Sequence, residues 1–223
     1  MTSDTIKTGL GTFSKDKFSA LVTIRAAALK GIRDAIQSDG FTEVTTSSLV
    51  NIAGSCENPH ASFTLNFYGR EAHLSQSAQL QLEALVMRLK KGFFTVNTSF
   101  REEHFDDPEA AGRRLSEFTL IEPECPFSGL NPEDALGQLI EKIEKIMKQS
   151  TADVLRKCRK EISTLGGDPD YLQNVIDHPF QTIRYDDAIK LLNTLGFQVS
   201  FGDDLGFVKS ERSLPNLEAH QPL

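Results

Sequence analysis

The sequence has 223 residues, of which 39% are hydrophobic, and its 31 Asp and Glu outnumber its 24 Lys and Arg, for a formal net charge of −7. This acidic balance provides no broad basic surface for nucleic acid, although a local basic patch is compatible with it. No apolar run approaches ~18 residues, which excludes a membrane-spanning helix, and three cysteines without paired spacing predict reduced thiols in a cytoplasmic protein rather than zinc ligands or disulfides.

The first predicted element is a helix over residues 17–38, after a polar stretch at residues 1–16 that predicts a flexible tail. Its apolar positions recur at helical spacing, Ser14 is placed to cap its start, and Gly40 is placed to end it. A short strand over residues 41–49, FTEVTTSSL, is predicted next because β-branched residues dominate it.

A polar loop, AGSCENPHA at residues 53–61, leads into two predicted strands around SFTLNF (62–67) and EAHL (71–74). Ser77 is placed to cap a following helix. Gln79 lies in its first turn, where a side-chain amide both donates and accepts hydrogen bonds and so suits a zwitterionic ligand. The predicted buried face of this helix consists of Leu80, Leu82, Leu85, Val86 and Leu89.

Two further strands with a charged loop between them form a predicted hairpin. Its first arm, KGFFTVNTSF at residues 91–100, is aromatic and β-branched, and its second, EFTLIEPE at residues 117–124, alternates apolar and polar residues. Arg101, Arg113 and Arg114 flank the loop, and arginines gathered on strands suit phosphate oxygens, which each planar fork binds bidentately. An ion-pair cluster without ligand is the alternative, because the same loop carries Glu102, Glu103, Asp106 and Asp107.

A long helix is predicted from Asn131, since Asn at the N-cap followed by Pro132 and two acids is typical of a helix start. Its apolar stripe predicts core packing, with a partner-binding face as the alternative. The turn LGGDPD at residues 165–170 ends this helix. The remaining predicted elements are a short helix or turn near Tyr171–Ile176, a helix over Tyr185–Leu195, a strand near residues 198–201, and an acidic turn, GDDLG, that contains Asp203 and Asp204.

The hairpin pattern F-R-x-E, a loop, then R-x-L-x-E-F-x-x-x-E, resembles motif 2 of the class II aminoacyl-tRNA synthetases, closest to the aspartyl/asparaginyl branch. The matching residues are Phe100, Arg101, Glu103, Arg113, Leu115, Glu117, Phe118, Glu122 and Glu124. Residues 17–50 resemble motif 1, which builds the family's dimer interface, although Ser47 stands where the family places Pro. The pattern L-x-Q-S-x-Q-L at residues 74–80 resembles the segment that floors the family's amino-acid pocket.

This resemblance implies ATP-dependent activation of an amino acid, with ATP and Mg²⁺ as cofactors. It assigns Arg101 as the catalytic residue, bridging the amino-acid carboxylate and the α-phosphate. It implies that Glu103 binds the adenine and that Phe118 stacks on it. Arg113 stands where the family holds the γ-phosphate, and Arg114 stands where the family usually has His, so it is expected to bind ATP as well or to pair with an acid of the loop.

The same resemblance implies an amino-acid site. Glu57 stands in the loop where the family has a Glu for the α-ammonium group, and Gln76 and Gln79 are implied contacts of the bound amino acid. Leu82 occupies a site position where aspartyl enzymes have Lys, so the pocket lacks one cation, which favours asparagine modestly over aspartate. By resemblance Asp203 and Asp204 border this pocket, and an ordinary acidic turn is the alternative.

The implied fold is α/β (α+β), an antiparallel sheet flanked by helices over residues 17–223, with the motif 2 hairpin inside the sheet. We expect its C-terminal part, an OB anticodon-binding domain and motif 3 to be absent, since no G-x-G-x-x-R pattern occurs. The expected partners are Asn or Asp, ATP and a second copy bound through residues 17–50, with tRNA a further candidate and no membrane. Three functions stay open: an enzyme similar to asparagine synthetase, an asparaginyl-tRNA synthetase, or an inactive paralog that binds amino acid or protein.

Overall fold

The computed structural model describes residues 14–55, 57–103, 114–127, 129–203 and 205. The helices are α1 (Lys15–Ser38), α2 (Gln79–Leu89), α3 (Pro132–Thr164), α4 (Pro169–Asp177) and α5 (Tyr185–Thr194). The strands are β1 (Thr42–Glu43), β2 (Leu49–Val50), β3 (Thr64–Phe67), β4 (Arg70–Leu74), β5 (Phe93–Phe100) and β6 (Glu117–Glu124). The expected mixed fold with antiparallel pairs of strands flanked by helices is confirmed. None of the described helices is long and apolar enough to cross a membrane.

The predicted hairpin is β5 and β6, which pair antiparallel from Phe93 opposite Glu124 to Phe100 opposite Glu117. Strand β1 pairs parallel with the other side of β5, so β5 is the central strand of a three-stranded sheet. Phe94 on β5 is fully buried and packs with Ile36 and Phe41, which form the core between this sheet and α1.

A second sheet has the order β2-β4-β3 and is antiparallel throughout. The predicted single strand over residues 41–49 is wrong, because this segment crosses from one sheet to the other. It contributes Thr42 and Glu43 to β1 and only its last residue, Leu49, to β2. The two sheets meet where the Phe100 backbone N–H donates to the Ser75 carbonyl at 2.9 Å. That bond joins the last residue of β5, which precedes Arg101, to the residue that precedes Gln76.

Helix α1 begins and ends as its sequence predicts. The Ser14 side chain accepts a hydrogen bond from the Lys17 backbone N–H, and Gly40 has a φ of +87°, the left-handed conformation that glycine adopts without strain. The helix packs on α3, and a Cβ placed on Gly31 would lie 3.3 Å from the Ser150 backbone. The absence of a side chain at this position therefore allows the close approach of the two helices.

Helices α3, α4 and α5 confirm the predicted C-terminal helices, and the Asn131 side chain accepts from the Asp134 backbone N–H at the start of α3. The strand predicted near residues 198–201 is wrong. The backbone N–H and C=O of Val199 are instead bonded by the side-chain amide of Asn193, at 3.1 and 2.8 Å. A single amide thus satisfies the backbone groups that a neighbouring strand would otherwise pair.

Candidate functional site

Arg101 directly follows β5, at the end of the hairpin where the connecting loop begins. Its backbone N–H donates to the Ser116 carbonyl at 3.0 Å, and its guanidinium carbon lies 5.3 Å from the centre of the Phe118 ring. The Arg101 Nε is buried and has no hydrogen-bond partner among the described residues. Because a buried guanidinium N–H without a partner is costly, this nitrogen is placed to bind an anionic ligand.

An open cleft of about 660 Å³, here called the arginine cleft, lies over this guanidinium. Its described lining consists of Asn58, His60, Ala61, Arg101, Glu102, Glu103, Arg114, Leu115 and Phe118. The structure therefore gathers Arg101, Glu103, Arg114 and Phe118, four of the residues singled out from the sequence. The fifth residue assigned to ATP, Arg113, lies outside the described residues, as do Asp106 and Asp107.

The ion-pair alternative holds for one of these arginines. Arg114 Nη1 lies 3.5 Å from Glu103 Oε2, a contact at the edge of the arginine cleft. Arg101 is different, because its described contacts are the Phe118 ring and the Ser116 backbone. The cleft therefore contains one arginine that is paired with an acid and one that stacks on an aromatic ring.

The loop that carries Glu57 lies beside the arginine cleft, which its residue Asn58 lines. Glu57 Oε2 accepts from the Ser55 backbone N–H at 2.8 Å, and the Gln76 side chain donates to the Asn58 carbonyl at 2.9 Å. Gln76 is almost fully buried, so it fixes this loop from beneath. A second cleft of about 330 Å³ lies on the loop, and both Glu57 and Gln76 line it.

The charges of three side chains, Glu57, Arg101 and Glu122, act on one another. Burial alone would raise the pKa of Glu57, but the Ser77 hydroxyl, the backbone N–H groups of the loop and the Arg101 charge together lower it. Burial raises the pKa of Glu122, and repulsion from Glu57 adds to this effect, while the Ala78 N–H, the Asn97 side chain and Arg101 oppose it. Glu57 is thus held as the carboxylate, the form that binds an ammonium group.

Gln79 and Leu82 lie apart from the lining of the two clefts. Gln79 opens α2, and its side chain donates to Glu83 at 2.8 Å. Leu82 is fully buried against Ala78 and Phe93, so its side chain presents no surface to a ligand. The inward face of α2 at this turn meets β5, and the expected place of Leu82 in an amino-acid site stays a prediction.

Sequence reasoning assigned no role to Glu122, although it belongs to the hairpin pattern. Both its carboxylate oxygens accept from the Ala78 backbone N–H at 3.0 Å, which caps α2 in place of the predicted Ser77. Side chains alternate between the two faces of a strand, so Phe118 and Glu122, four residues apart on β6, lie on the same face. This spacing could have identified Glu122 as a residue of the site. Among the described residues no group of three or more His, Cys, Asp or Glu is arranged to hold a metal ion, so Mg²⁺ stays a prediction.

Comparisons with known proteins identify the family to which this sequence is similar. A family model described as tRNA synthetases class II (D, K and N) matches residues 6–217. The aspartate–tRNA(Asp/Asn) ligase of Saccharolobus solfataricus is 32% identical over 190 residues, which cover 85% of this chain and 40% of that protein. The asparagine–tRNA ligase of Pyrococcus furiosus is 35% identical over 190 residues, covering 85% of this chain and 41% of that protein.

A solved structure shows the same likeness in three dimensions. The asparaginyl-tRNA synthetase of Pyrococcus horikoshii, complexed with asparaginyl-adenylate, matches with a TM-score of 0.75 and 31% identity. The match covers 86% of this chain and 41% of that chain. The chain therefore spans about two fifths of the length of the relatives it matches.

Proposed function

This chain belongs to the class II tRNA synthetases (D, K and N), and we propose that it activates asparagine with ATP to form asparaginyl-adenylate and pyrophosphate. The expected membership of the class II synthetase family is thereby confirmed. Because the chain spans about two fifths of its relatives, the reaction, its substrates and its partners are proposals for this chain.

The single observation that carries the proposal is the placement of Arg101. Its buried Nε has no partner among the described residues, its guanidinium stacks on Phe118, and Glu57 lies within electrostatic range. In the reaction an amino-acid carboxylate oxygen attacks the α-phosphorus of ATP, and the bond from that phosphorus to the bridging oxygen of pyrophosphate breaks. Arg101 would bind both anions, which lowers their repulsion and neutralises the charge that develops at the α-phosphorus.

The remaining residues of the arginine cleft supply the nucleotide contacts. The Phe118 ring offers a face on which adenine stacks, and the Glu103 carboxylate accepts from the adenine amino group. Arg114 contributes a second cation toward the phosphates, and Arg113 is proposed to act with it on sequence grounds alone. ATP would supply the phosphates that these cations bind, and Mg²⁺ is proposed to bind together with ATP.

The acidic surroundings of Arg101 favour asparagine over aspartate. Glu57 would hold the α-ammonium group, with Gln76 fixing its loop and Gln79 proposed as a further contact. Glu57 and Glu122 place two carboxyl groups beside one described guanidinium, so a second carboxylate on the substrate would meet net repulsion. A neutral carboxamide avoids this cost, and it also donates hydrogen bonds to carboxyl oxygens.

A homodimer through residues 17–50 is part of the proposal. Phe18, Leu21 and Val22 on α1 are between 41% and 52% exposed, which gives this segment an apolar surface. The Ser47 backbone N–H donates to the Gln81 side chain at 2.8 Å, a bond that a proline at this position would remove. Transfer to tRNA, in the cytoplasm, is proposed by analogy with the relatives named above.

Exchange of labelled pyrophosphate into ATP by this chain tests the proposal, with asparagine and aspartate offered separately. We expect exchange with asparagine that exceeds exchange with aspartate. The isolated chain should also bind each ligand in calorimetry, which separates a loss of binding from a loss of chemistry. A folded chain that binds asparagine without exchange would overturn the enzymatic proposal and favour a binding module.

A further inference from the structure

Arg114 and Glu103 form an ion pair at the edge of the arginine cleft. Arg114 Nη1 lies 3.5 Å from Glu103 Oε2, and both residues line the cleft together with Phe118. The Arg114 side chain is 53% exposed and that of Glu103 is 20% exposed. The carboxylate is therefore the fixed, more deeply placed member of the pair, and the arginine is the member that is free to swing away.

Each member of this pair offers a contact that an adenine nucleotide would also take. A carboxylate accepts from the amino group of adenine, whereas a guanidinium binds phosphate oxygens. Arg114 Nη1 lies 3.5 Å from Glu103 Oε2, so the arginine and the amino group of adenine would compete for this oxygen.

We infer that Arg114 is a latch on the nucleotide cleft, which competes with the base for Glu103 and is released when the phosphates of ATP bind it. The inference rests on the proposed function, since it assumes that adenine and phosphates occupy this cleft. It assigns Arg114 two opposite effects on binding. A ligand with a base alone must break the ion pair without compensation, whereas a nucleotide replaces the lost contact with one to phosphate.

The test compares adenosine with ATP on R114A by calorimetry at low ionic strength. Removing a partly exposed ion pair frees Glu103, so adenosine should bind about 2- to 5-fold more tightly to R114A than to wild type. Loss of a charge-assisted contact to phosphate should weaken ATP binding by about tenfold. A residue that only supports the fold would change both affinities in the same direction.

Three controls isolate the latch. R156A removes an exposed arginine that pairs with Asp153 on α3, away from the cleft, and should leave both affinities unchanged. In an E103Q background, R114A should no longer tighten adenosine binding, because the competition needs the carboxylate. Added salt should tighten adenosine binding to wild type but not to R114A, since screening weakens the ion pair.

If R114A weakens adenosine and ATP alike, or changes neither, the latch is wrong while the proposed function stands. If wild type binds neither adenosine nor ATP, the proposed function fails, and the latch fails with it. Opposite shifts for the two ligands, abolished for adenosine in E103Q, would establish the exchange of contacts.

Discussion

The two carboxylate oxygens of Glu122 lie 3.0 Å from the backbone nitrogen of Ala78, so strand β6 caps the N-terminus of α2. An acid is favourable at this end of a helix because the unpaired N–H groups there carry a partial positive charge. The contact joins the hairpin that carries Arg101 to the segment that carries Gln76. The arginine cleft and the loop that carries Glu57 are thereby held in one framework.

Substitution E122Q should change how stability depends on pH. Burial, the largest cause, and repulsion from Glu57 raise the pKa of Glu122 above its ordinary value of 4.5. The folded protein therefore loses stability as pH rises through the raised pKa, because ionisation then costs more in the folded state than in the unfolded state. Gln keeps an acceptor for Ala78 without this cost.

The measurement is the free energy of unfolding of wild type and E122Q in urea between pH 4 and pH 8. The difference between them should move in favour of E122Q as pH rises. A difference that is constant over this range would contradict the assignment. The control variant E133Q, in the first turn of α3, measures the effect of removing an exposed carboxylate outside this contact.

Substitution R101A should abolish activation while leaving the fold intact. Removing a group that stabilises developing charge typically lowers a rate by about 10²- to 10³-fold. The side chain gives up its stacking on Phe118 and its charge interactions with Glu57 and Glu122, so the free energy of unfolding should fall by about 2 kcal/mol at most. R101K keeps the charge without the planar fork and should recover only part of the rate. Pyrophosphate exchange, with melting curves, checks both, and retained exchange in R101A would exclude the assigned role.

Substitution G54A should impair amino-acid binding and spare ATP. A Cβ on Gly54 would overlap Glu57 Oε2 and lie 3.0 Å from the Glu57 carboxyl carbon, so this carboxylate must move. Loss of one charge-assisted hydrogen bond, on the order of 1.5 kcal/mol, predicts about tenfold weaker asparagine binding. G137A on α3 meets nothing within 4 Å and is the control. Equal losses for asparagine and ATP in G54A would point to general damage to the loop.

The hairpin and its arginine were predictable because the signal is local. The alternation in residues 117–124 sets β6, and Arg101 follows directly on β5. The capping of α2 was not predictable locally. Ser77 precedes the helix and is a favoured capping residue, yet a carboxylate 44 residues away in sequence, Glu122, makes the bond. Only tertiary structure decides between two such acceptors.

Residues 41–49 and the segment near Val199 differ from their predicted structure for the same reason, since tertiary contacts decide how their backbone is paired. Residues 41–49 contain β-branched residues that favour extended backbone, but nothing in the run states which sheet each end joins. Near Val199 the pattern is that of a strand, while the Asn193 amide supplies the hydrogen bonds.

Substitution F118L should weaken every ligand that carries adenine. Leucine keeps most of the apolar bulk but removes the aromatic face, and stacking of a base on such a face is worth about 1–3 kcal/mol. ATP and adenosine should therefore both bind at least about fivefold more weakly, whereas asparagine binding should be unchanged. F118Y keeps the ring and should retain most of the affinity. The parallel loss for the two ligands distinguishes Phe118 from Arg114, for which the two ligands should shift in opposite directions. Unchanged adenosine binding in F118L would mean that the base lies elsewhere in the arginine cleft.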